Sequence, residues 1–438
     1  MTLVQIGLAP AAGHSAGDPA RFHIVHGQPL LLFVPEGSRL YALPDGAAID
    51  FEEFLSTLDG GAPAVRFDKQ PTALSLNIAQ ACNLSCSYCY ADEGRFGGES
   101  KLMPLETAKL AIRRHICQSE SGSVSVGFIG GEPLLNRAVL HESVAFAARE
   151  AALRGVRITF GITTNGTLLS PADIALLSAH PFAVTISLDG TRDAHDTLRR
   201  TRSGSPSFDG ILERVSPLLS KPGLAKIAAR VTLTRRFLDV SACLDRLASA
   251  GFAEIGVSPL RTGPDASLRL GGGDWDVLLD AMKTAAGREW ARVKDTSEPL
   301  RFSNFATALK QLFRGACDAL PCRAAAGYVS LGADGRYYTC HRTVGETACD
   351  LGGIDSGPSA EARRAFVEGR RVDEQEPCRS CWARYLCGGG CHAEVLQAGR
   401  TGCDYIRGWL EYCISVYPRV LSQRADLLGP QFLKEEVQ

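Results

Sequence analysis

The sequence predicts an α/β fold built on a parallel sheet. Three observations predict it. Six strand-like segments separated by helix-like ones run in regular alternation from Leu74 to Pro259. Glycine and proline fall at the joints, where helices begin and end. Polar motifs collect at the carboxyl ends of the strands, where α/β proteins place their ligands.

In order, Leu74, Leu76 and Ile78 alternate with strand period, and a cysteine-rich loop follows. Residues 104–119 read as a helix with Pro104 near its start, 124–130 as a strand, and 137–154 as a helix stopped by Gly155. The pattern continues with strand 157–164, helix 171–178, strand 182–188 and helix 211–220. Strand 226–234, helix 240–250 closed by Gly251, and strand 254–259 complete it. Ahead of this region lie short strands at 22–25, 30–34 and 40–43 and a helix over 49–58. Periodicity alone leaves open whether the sheet is flat and doubly wound or curved into a partial barrel.

Composition narrows the class. At 438 residues the chain is long enough for two or three domains. The net charge of -1 offers no basic field for nucleic acid and no acidic tail. The longest apolar run, residues 29–35, is too short to span a bilayer. No basic flank precedes an apolar stretch at the start, which argues against a secretory signal. Fifteen cysteines without an export signal read as metal ligands rather than disulfides, and so point to the reducing cytoplasm.

Cys82, Cys86 and Cys89 stand in CxxxCxxC spacing. Three thiolates on one loop can hold three irons of a four-iron cluster and leave the fourth iron open for chemistry. A zinc site wants four closed ligands. The next candidate, Cys117, falls in a predicted helix. With the aromatic Tyr88 just before its third cysteine, this loop resembles that of the radical S-adenosylmethionine (SAM) enzymes. The resemblance implies a partial (β/α)6 TIM-like barrel. It assigns Cys82, Cys86 and Cys89 to the catalytic cluster.

Further motifs carry the resemblance. Gly130-Gly131-Glu132-Pro133 follows the second strand of the alternation. Two glycines let backbone approach a ligand, and a carboxylate can receive an ammonium. In the family this motif binds the amino group of SAM. The third strand ends at Asn165-Gly166 and the fourth at Ser187-Leu188-Asp189-Gly190, with Arg199 downstream. The sixth ends at Ser258-Pro259-Leu260. Family members use these ends to contact the ribose, carboxylate and adenine of SAM, so Tyr88, Asn165, Ser187, Asp189, Arg199 and Leu260 join the cofactor-binding set. His195 reads as structural.

The C-terminal third resembles the iron-sulfur extension called SPASM. Cys322, Gly335 and Cys340 are followed by Cys378, Cys381, Cys387 and Cys391 in CxxCxxxxxCxxxC spacing, then by Cys413, with Cys317 just upstream. The resemblance implies two closed auxiliary clusters, one on Cys317, Cys322, Cys340 and Cys391, the other on Cys378, Cys381, Cys387 and Cys413. Cys403 is the rival for the last place. Three [4Fe-4S] clusters and SAM are therefore the expected cofactors.

The expected organisation is an N-terminal segment over 1–72, either a leader-peptide recognition element or a barrel decoration. A radical SAM barrel follows over 73–308, then a SPASM domain over 309–420 and a tail over 421–438. SPASM enzymes mostly modify peptides or proteins through a 5′-deoxyadenosyl radical. The C-terminal stretch is most similar to the thioether-forming maturases of the quinohemoprotein amine dehydrogenase type. That implies a crosslink from cysteine sulfur to a side-chain carbon in a peptide or small protein encoded nearby. The electron would come from a flavodoxin- or ferredoxin-type donor, with neither nucleic acid nor membrane involved. The alternatives are carbon-carbon or carbon-oxygen crosslinking and formylglycine formation by a sulfatase maturase. Sulfatase maturases carry Asp directly after the equivalent of Cys340; here the residue is His341. An imidazole near neutral pH suits a base, so His341 joins the catalytic expectation.

Overall fold

The computed structural model describes residues 4–5, 21–43, 54, 63–220 and 227–429. The helix expected over 49–58 lies outside the described residues apart from Phe54. Contacts divide the chain into two units. One comprises residues 1–65, 275–322 and 369–438, the other residues 66–274 and 323–368.

The first unit opens with a four-stranded sheet. Strand β1 (Val4–Gln5) runs parallel to β4 (Arg39–Leu43), and β4 continues into an antiparallel meander with β3 (Leu30–Val34) and β2 (His23–Val25). Leu32, Val34, Tyr41 and Leu43 form its buried face. His23 stacks on Trp382 with ring centroids 4.1 Å apart, and Phe33 meets the same indole edge-on. Arg384, itself buried, pairs with Glu36, and Gly37 N donates to Cys317 Sγ at 3.2 Å. The N-terminal sheet therefore packs on the cysteine-rich C-terminal segments of its own unit.

The second unit holds the parallel sheet. Strands β5 (Ala73–Gln80), β8 (Ser123–Gly130), β9 (Arg157–Thr164), β10 (Phe182–Ser187), β12 (Ile227–Leu233) and β13 (Glu254–Pro259) lie side by side in chain order, every neighbouring pair parallel. Helices α1 (Leu105–Cys117), α2 (Arg137–Arg154), α3 (Pro171–Ala179), α4 (Arg192–Leu198), α5 (Phe208–Leu219) and α6 (Val240–Ser249) fill the connections. This is the partial (β/α)6 barrel. Short strands β6 (Leu84–Cys86), β7 (Lys101–Leu102) and β11 (Arg199–Thr201) decorate it; β7 pairs with β5, and β6 pairs with β11. Strand β14 (Tyr328–Leu331) adds to the free side of β5 in parallel, and β15 (Arg336–Tyr338) and β16 (Asp350–Gly353) follow antiparallel. The segment carrying Cys340 thus belongs to the barrel sheet.

Local chemistry explains these elements. All but the first residue of β5 are buried, as a central parallel strand requires. Phe128, Phe160 and Phe182 stack across β8, β9 and β10, with centroids 6.4 and 5.1 Å apart. Ser170 and Asp173 form a capping box at the start of α3, and Gly155 ends α2 in the left-handed conformation. In the first unit, α7 (Asp274–Val293), α8 (Ser303–Phe313) and α12 (Cys403–Gln423) are the long helices, and Trp409 of α12 packs on Phe302 and Phe305. Two short helices lie between the C-terminal cysteines, α10 (Arg384–Cys387) and α11 (His392–Ala398); α9 (Ala360–Glu368) precedes them in the second unit.

One close approach places the site. At the end of β8, Gly131 N donates to Ala79 O and Glu132 N to Ala81 O, both at 2.8 Å. A Cβ on Gly130 would lie 2.3 Å from Ala79 O, and one on Gly131 would lie 2.3 Å from Ala81 O. Both obstacles are backbone and cannot rotate away. Gly131→Ala is expected to destabilise the chain by about 1–3 kcal/mol, read as a lower urea midpoint of the metal-free protein. An unchanged midpoint would show that the two segments separate easily.

Candidate active site

Immediately beyond β5, the chain turns through Cys82, Cys86 and Cys89. Strand β6 pairs antiparallel with β11, with Cys86 opposite Arg199. Leu84 N donates to Cys82 Sγ at 3.4 Å and Cys89 N to Cys86 O at 3.1 Å, which curls the loop around its sulfurs. Burial pushes the Cys82 thiol up to about 11 and the Cys86 thiol to about 12, and each also feels the Cys89 sulfur nearby. Three thiols in such surroundings ionise when a metal cation binds the sulfurs and displaces their protons to solvent, and soft iron suits that donor set. Among the described residues no three His, Cys, Asp or Glu side chains close to single-ion spacing.

The strand ends surround this loop. Asn165 Nδ2 donates to Asn83 Oδ1 at 3.0 Å and faces Cys82 Sγ at 3.8 Å, and Asn83 in turn donates to Thr167 Oγ1 at 2.8 Å. Asn165 thus braces the cysteine loop. Glu132 is fully buried. Its carboxylate accepts from Leu134 N at 3.0 Å, Thr164 Oγ1 at 2.7 Å and Asn165 N at 2.7 Å. Burial raises its carboxyl above the ordinary range, while these donors and the charge of Arg199 pull it back. The side chain expected to receive a ligand ammonium is therefore also a staple between the ends of β8 and β9.

Tyr88, Asp189 and Arg199 are buried together. The Tyr88 hydroxyl donates to Asp189 Oδ2 and accepts from Arg199 Nη1 at 2.6 Å; Asp189 Oδ1 accepts from Thr232 N at 2.9 Å. Burial works against the Arg199 charge, but Tyr88, Cys86 and Asp189 outweigh it and hold the guanidinium firmly protonated. Among the described residues its Nε is buried without a partner. Ser187 ends β10 half-buried, and Leu260 is buried just past β13 with its N–H on Leu233 O. Thr232 leaves no mark in the sequence, because it acts through its backbone amide.

The remaining cysteines separate by unit. Cys340 and His341 lie in the barrel unit. His341 is half-buried, its Nδ1 is 2.8 Å from the Tyr328 hydroxyl, and burial lowers its imidazole to about 4, so the ring is neutral at pH 7. In the other unit Cys317 is half-buried, Cys322 exposed, and Cys391 precedes α11. There the thiols of Cys378 and Cys387, raised first by burial, each also feel those of Cys381 and Cys403. Cys403 is the first residue of α12. Cys413 lies deeper in that helix, fully buried, and burial alone moves its thiol far up. Cys403, the rival for the last place, is thus felt at Cys378 and Cys387, while burial is what acts on Cys413. Gly388 permits the turn there, since a Cβ on it would lie 2.3 Å from the backbone of Pro321.

A cysteine loop of this spacing, enclosed by the carboxyl ends of a partial barrel, defines a radical SAM site. Residues 76–219 match the Radical SAM superfamily. The serine-type anaerobic sulfatase-maturating enzyme of Klebsiella aerogenes is 27% identical over 336 residues, covering 74% of this chain and 80% of that protein. A solved structure of native anSMEcpe with bound AdoMet superposes with a TM-score of 0.66 at 20% identity, covering 80% of this chain and 99% of that one. Streptococcus suis SuiB bound to precursor peptide SuiA gives a TM-score of 0.54 at 15% identity, covering 76% of this chain and 74% of that one. These two structural likenesses establish the fold. The superfamily implies a [4Fe-4S] cluster and SAM. The thiol group and the unpartnered Arg199 Nε fit a cluster and an anionic ligand group. Among the described residues, no helix is long and apolar enough to cross a membrane.

The doubled role of Glu132 is testable without cofactor. Glu132→Ala strands three buried donors and is expected to cost about 1–3 kcal/mol in the metal-free chain, measured by denaturant unfolding. A side chain that served a ligand alone would leave that stability untouched.

Proposed function

We propose that this enzyme oxidises a side chain of a peptide or small protein by two electrons, and that the product is a thioether crosslink from cysteine sulfur to a side-chain carbon. The cluster and SAM, when bound, supply a hydrogen-abstracting 5′-deoxyadenosyl radical. The chain's own residues hold that chemistry in place. Cys82, Cys86 and Cys89 carry the iron, Arg199 meets the SAM carboxylate, and Gly130, Gly131, Glu132, Asn165, Ser187, Asp189 and Leu260 shape the pocket around Tyr88. A flavodoxin- or ferredoxin-type donor delivers the first electron.

The observation that carries this reading is the second cysteine group, Cys378, Cys381, Cys387 and Cys403. The substrate gives up one hydrogen atom, then a thiol proton and one electron as sulfur joins carbon. That electron needs an acceptor. A closed auxiliary cluster is suited to take it, having no open iron for substrate. In this reading Cys403 takes the place first given to Cys413. Cys403→Ala is expected to lose about four irons per chain relative to wild type after anaerobic reconstitution, and Cys413→Ala none. The opposite pattern would restore Cys413.

The sulfatase-maturating relatives favour a second reading, formylglycine formation. His341 in place of an acidic residue weighs against it; paired with the Tyr328 hydroxyl and lowered to about 4, its ring is a weak base, so the crosslinking reading gives it a structural place rather than the catalytic one. Co-expression with each small open reading frame encoded nearby, followed by intact mass and thiol alkylation, separates the two. A loss of two hydrogens with the thiol blocked supports the thioether. The same loss with the thiol still alkylatable indicates a carbon-carbon or carbon-oxygen crosslink. A single Cys or Ser converted to an aldehyde establishes the sulfatase-maturase reading instead.

A further inference from the structure

The buried group around Arg199 closes on itself. Asp189 Oδ2 accepts from the Tyr88 hydroxyl, which accepts from Arg199 Nη1 at 2.6 Å. On the other side, the carbonyl of Arg199 accepts from Ser207 Oγ at 2.7 Å, and Ser207 Oγ lies 2.9 Å from His195 Nε2. His195 Nδ1 accepts from Asp189 N at 3.2 Å, which returns to the starting residue.

Donors and acceptors run consistently around the ring. With Nδ1 accepting, the imidazole proton sits on Nε2 and donates to Ser207, whose own proton goes to the Arg199 carbonyl. Burial holds the His195 imidazole down at about 3, so it stays neutral and keeps this tautomer. Asp196 Oδ1 pins the far corner by accepting from Ser207 N and Phe208 N, both at 2.9 Å.

One polar atom is left over. Among the described residues Arg199 Nε is buried with no partner, on a residue that is 8% exposed. Its residue faces Cys86 across the β6–β11 pair, and its charge is felt at Cys82 and Glu132. The ring fixes the guanidinium at one end through Nη1 and the backbone at the other, and leaves Nε uncommitted.

We propose that this five-residue ring preorients Arg199 for the carboxylate of SAM, with Asp189, His195 and Ser207 acting as positioning residues that set cofactor affinity without touching the cofactor. The proposal rests on the reading that Arg199 meets the SAM carboxylate. A guanidinium held in place loses less freedom on binding than one that must first be ordered. Asp189, expected from sequence to contact the cofactor, acts here through Tyr88 and His195.

The test opens the ring at two opposite points, with Tyr88→Phe and Ser207→Ala, in reconstituted full-length protein. Equilibrium dialysis measures the Kd for SAM, and iron per chain and the thermal midpoint are followed in parallel. Each variant is expected to raise Kd about fivefold or more, with iron unchanged. In an Arg199→Lys background, where the guanidinium is gone, either change should add less than about twofold. Unchanged Kd in both variants would overturn the proposal. Loss of iron in Ser207→Ala would also overturn it, because the ring would then hold the cysteine loop instead. Full additivity with Arg199→Lys would sever the ring from Arg199. Iron-loaded wild-type protein that bound no SAM would remove the cofactor assignment itself, and the proposal with it.

Discussion

The close passage of the β8 terminus over the chain entering the cysteine loop governs the rest of the site. Two backbone bonds, Gly131 N to Ala79 O and Glu132 N to Ala81 O, hold it. Side chains are excluded on steric grounds at both glycines. Because β5 and β8 are neighbouring parallel strands, their ends are already side by side. The added contact sets where Cys82 leaves the sheet. It also delivers Glu132 to Thr164 and Asn165 of the next strand end, and Asn165 reaches back to Asn83 in the cysteine loop. Strand ends, acidic residue and thiols are thus fixed by one short circuit of backbone and amide bonds.

A second constraint is charge. Glu132, Asp189 and Arg199 are all buried in one region, and burying unpaired charge is expensive. The carboxylates are met by backbone N–H groups and hydroxyls, and Arg199 by the tyrosine that precedes Cys89. Arg199 and Asp189 do not form a direct ion pair; Tyr88 stands between them. That arrangement leaves part of the guanidinium uncommitted while its orientation is set. The price of such a design is sensitivity: in a low-dielectric network, removing one member exposes the others to unmet desolvation.

Much of this was legible in the sequence, and the limits are physical. The parallel strands showed because each has local hydrophobic periodicity, and the helices because of their stops, as at Gly155. The CxxxCxxC and Gly-Gly-Glu-Pro motifs showed because their chemistry is carried by neighbouring residues. The β6–β11 pair did not show, since three-residue strands carry no period. The join of β14 to β5 is a pairing of segments distant in the chain, which leaves no local signature. Ser207 and Thr232 contribute one hydroxyl and one backbone amide, so nothing in their neighbourhood marks them.

Cys403 and Cys413 show most clearly what spacing leaves out. Both lie in α12 and both follow the CxxCxxxxxCxxxC run, so order along the chain does not separate them. Their positions in the helix do. Cys403 is its first residue, within electrostatic reach of the thiols of Cys378 and Cys387. Cys413 is fully buried farther along, on a turn with the buried Leu410, Ile414 and Tyr417, where an isolated sulfur resists ionisation. A cluster ligand must give up its proton. The apolar middle of the helix opposes that loss at Cys413, while Cys403 sits within reach of Cys378 and Cys387, a difference in surroundings that counting along the chain does not carry.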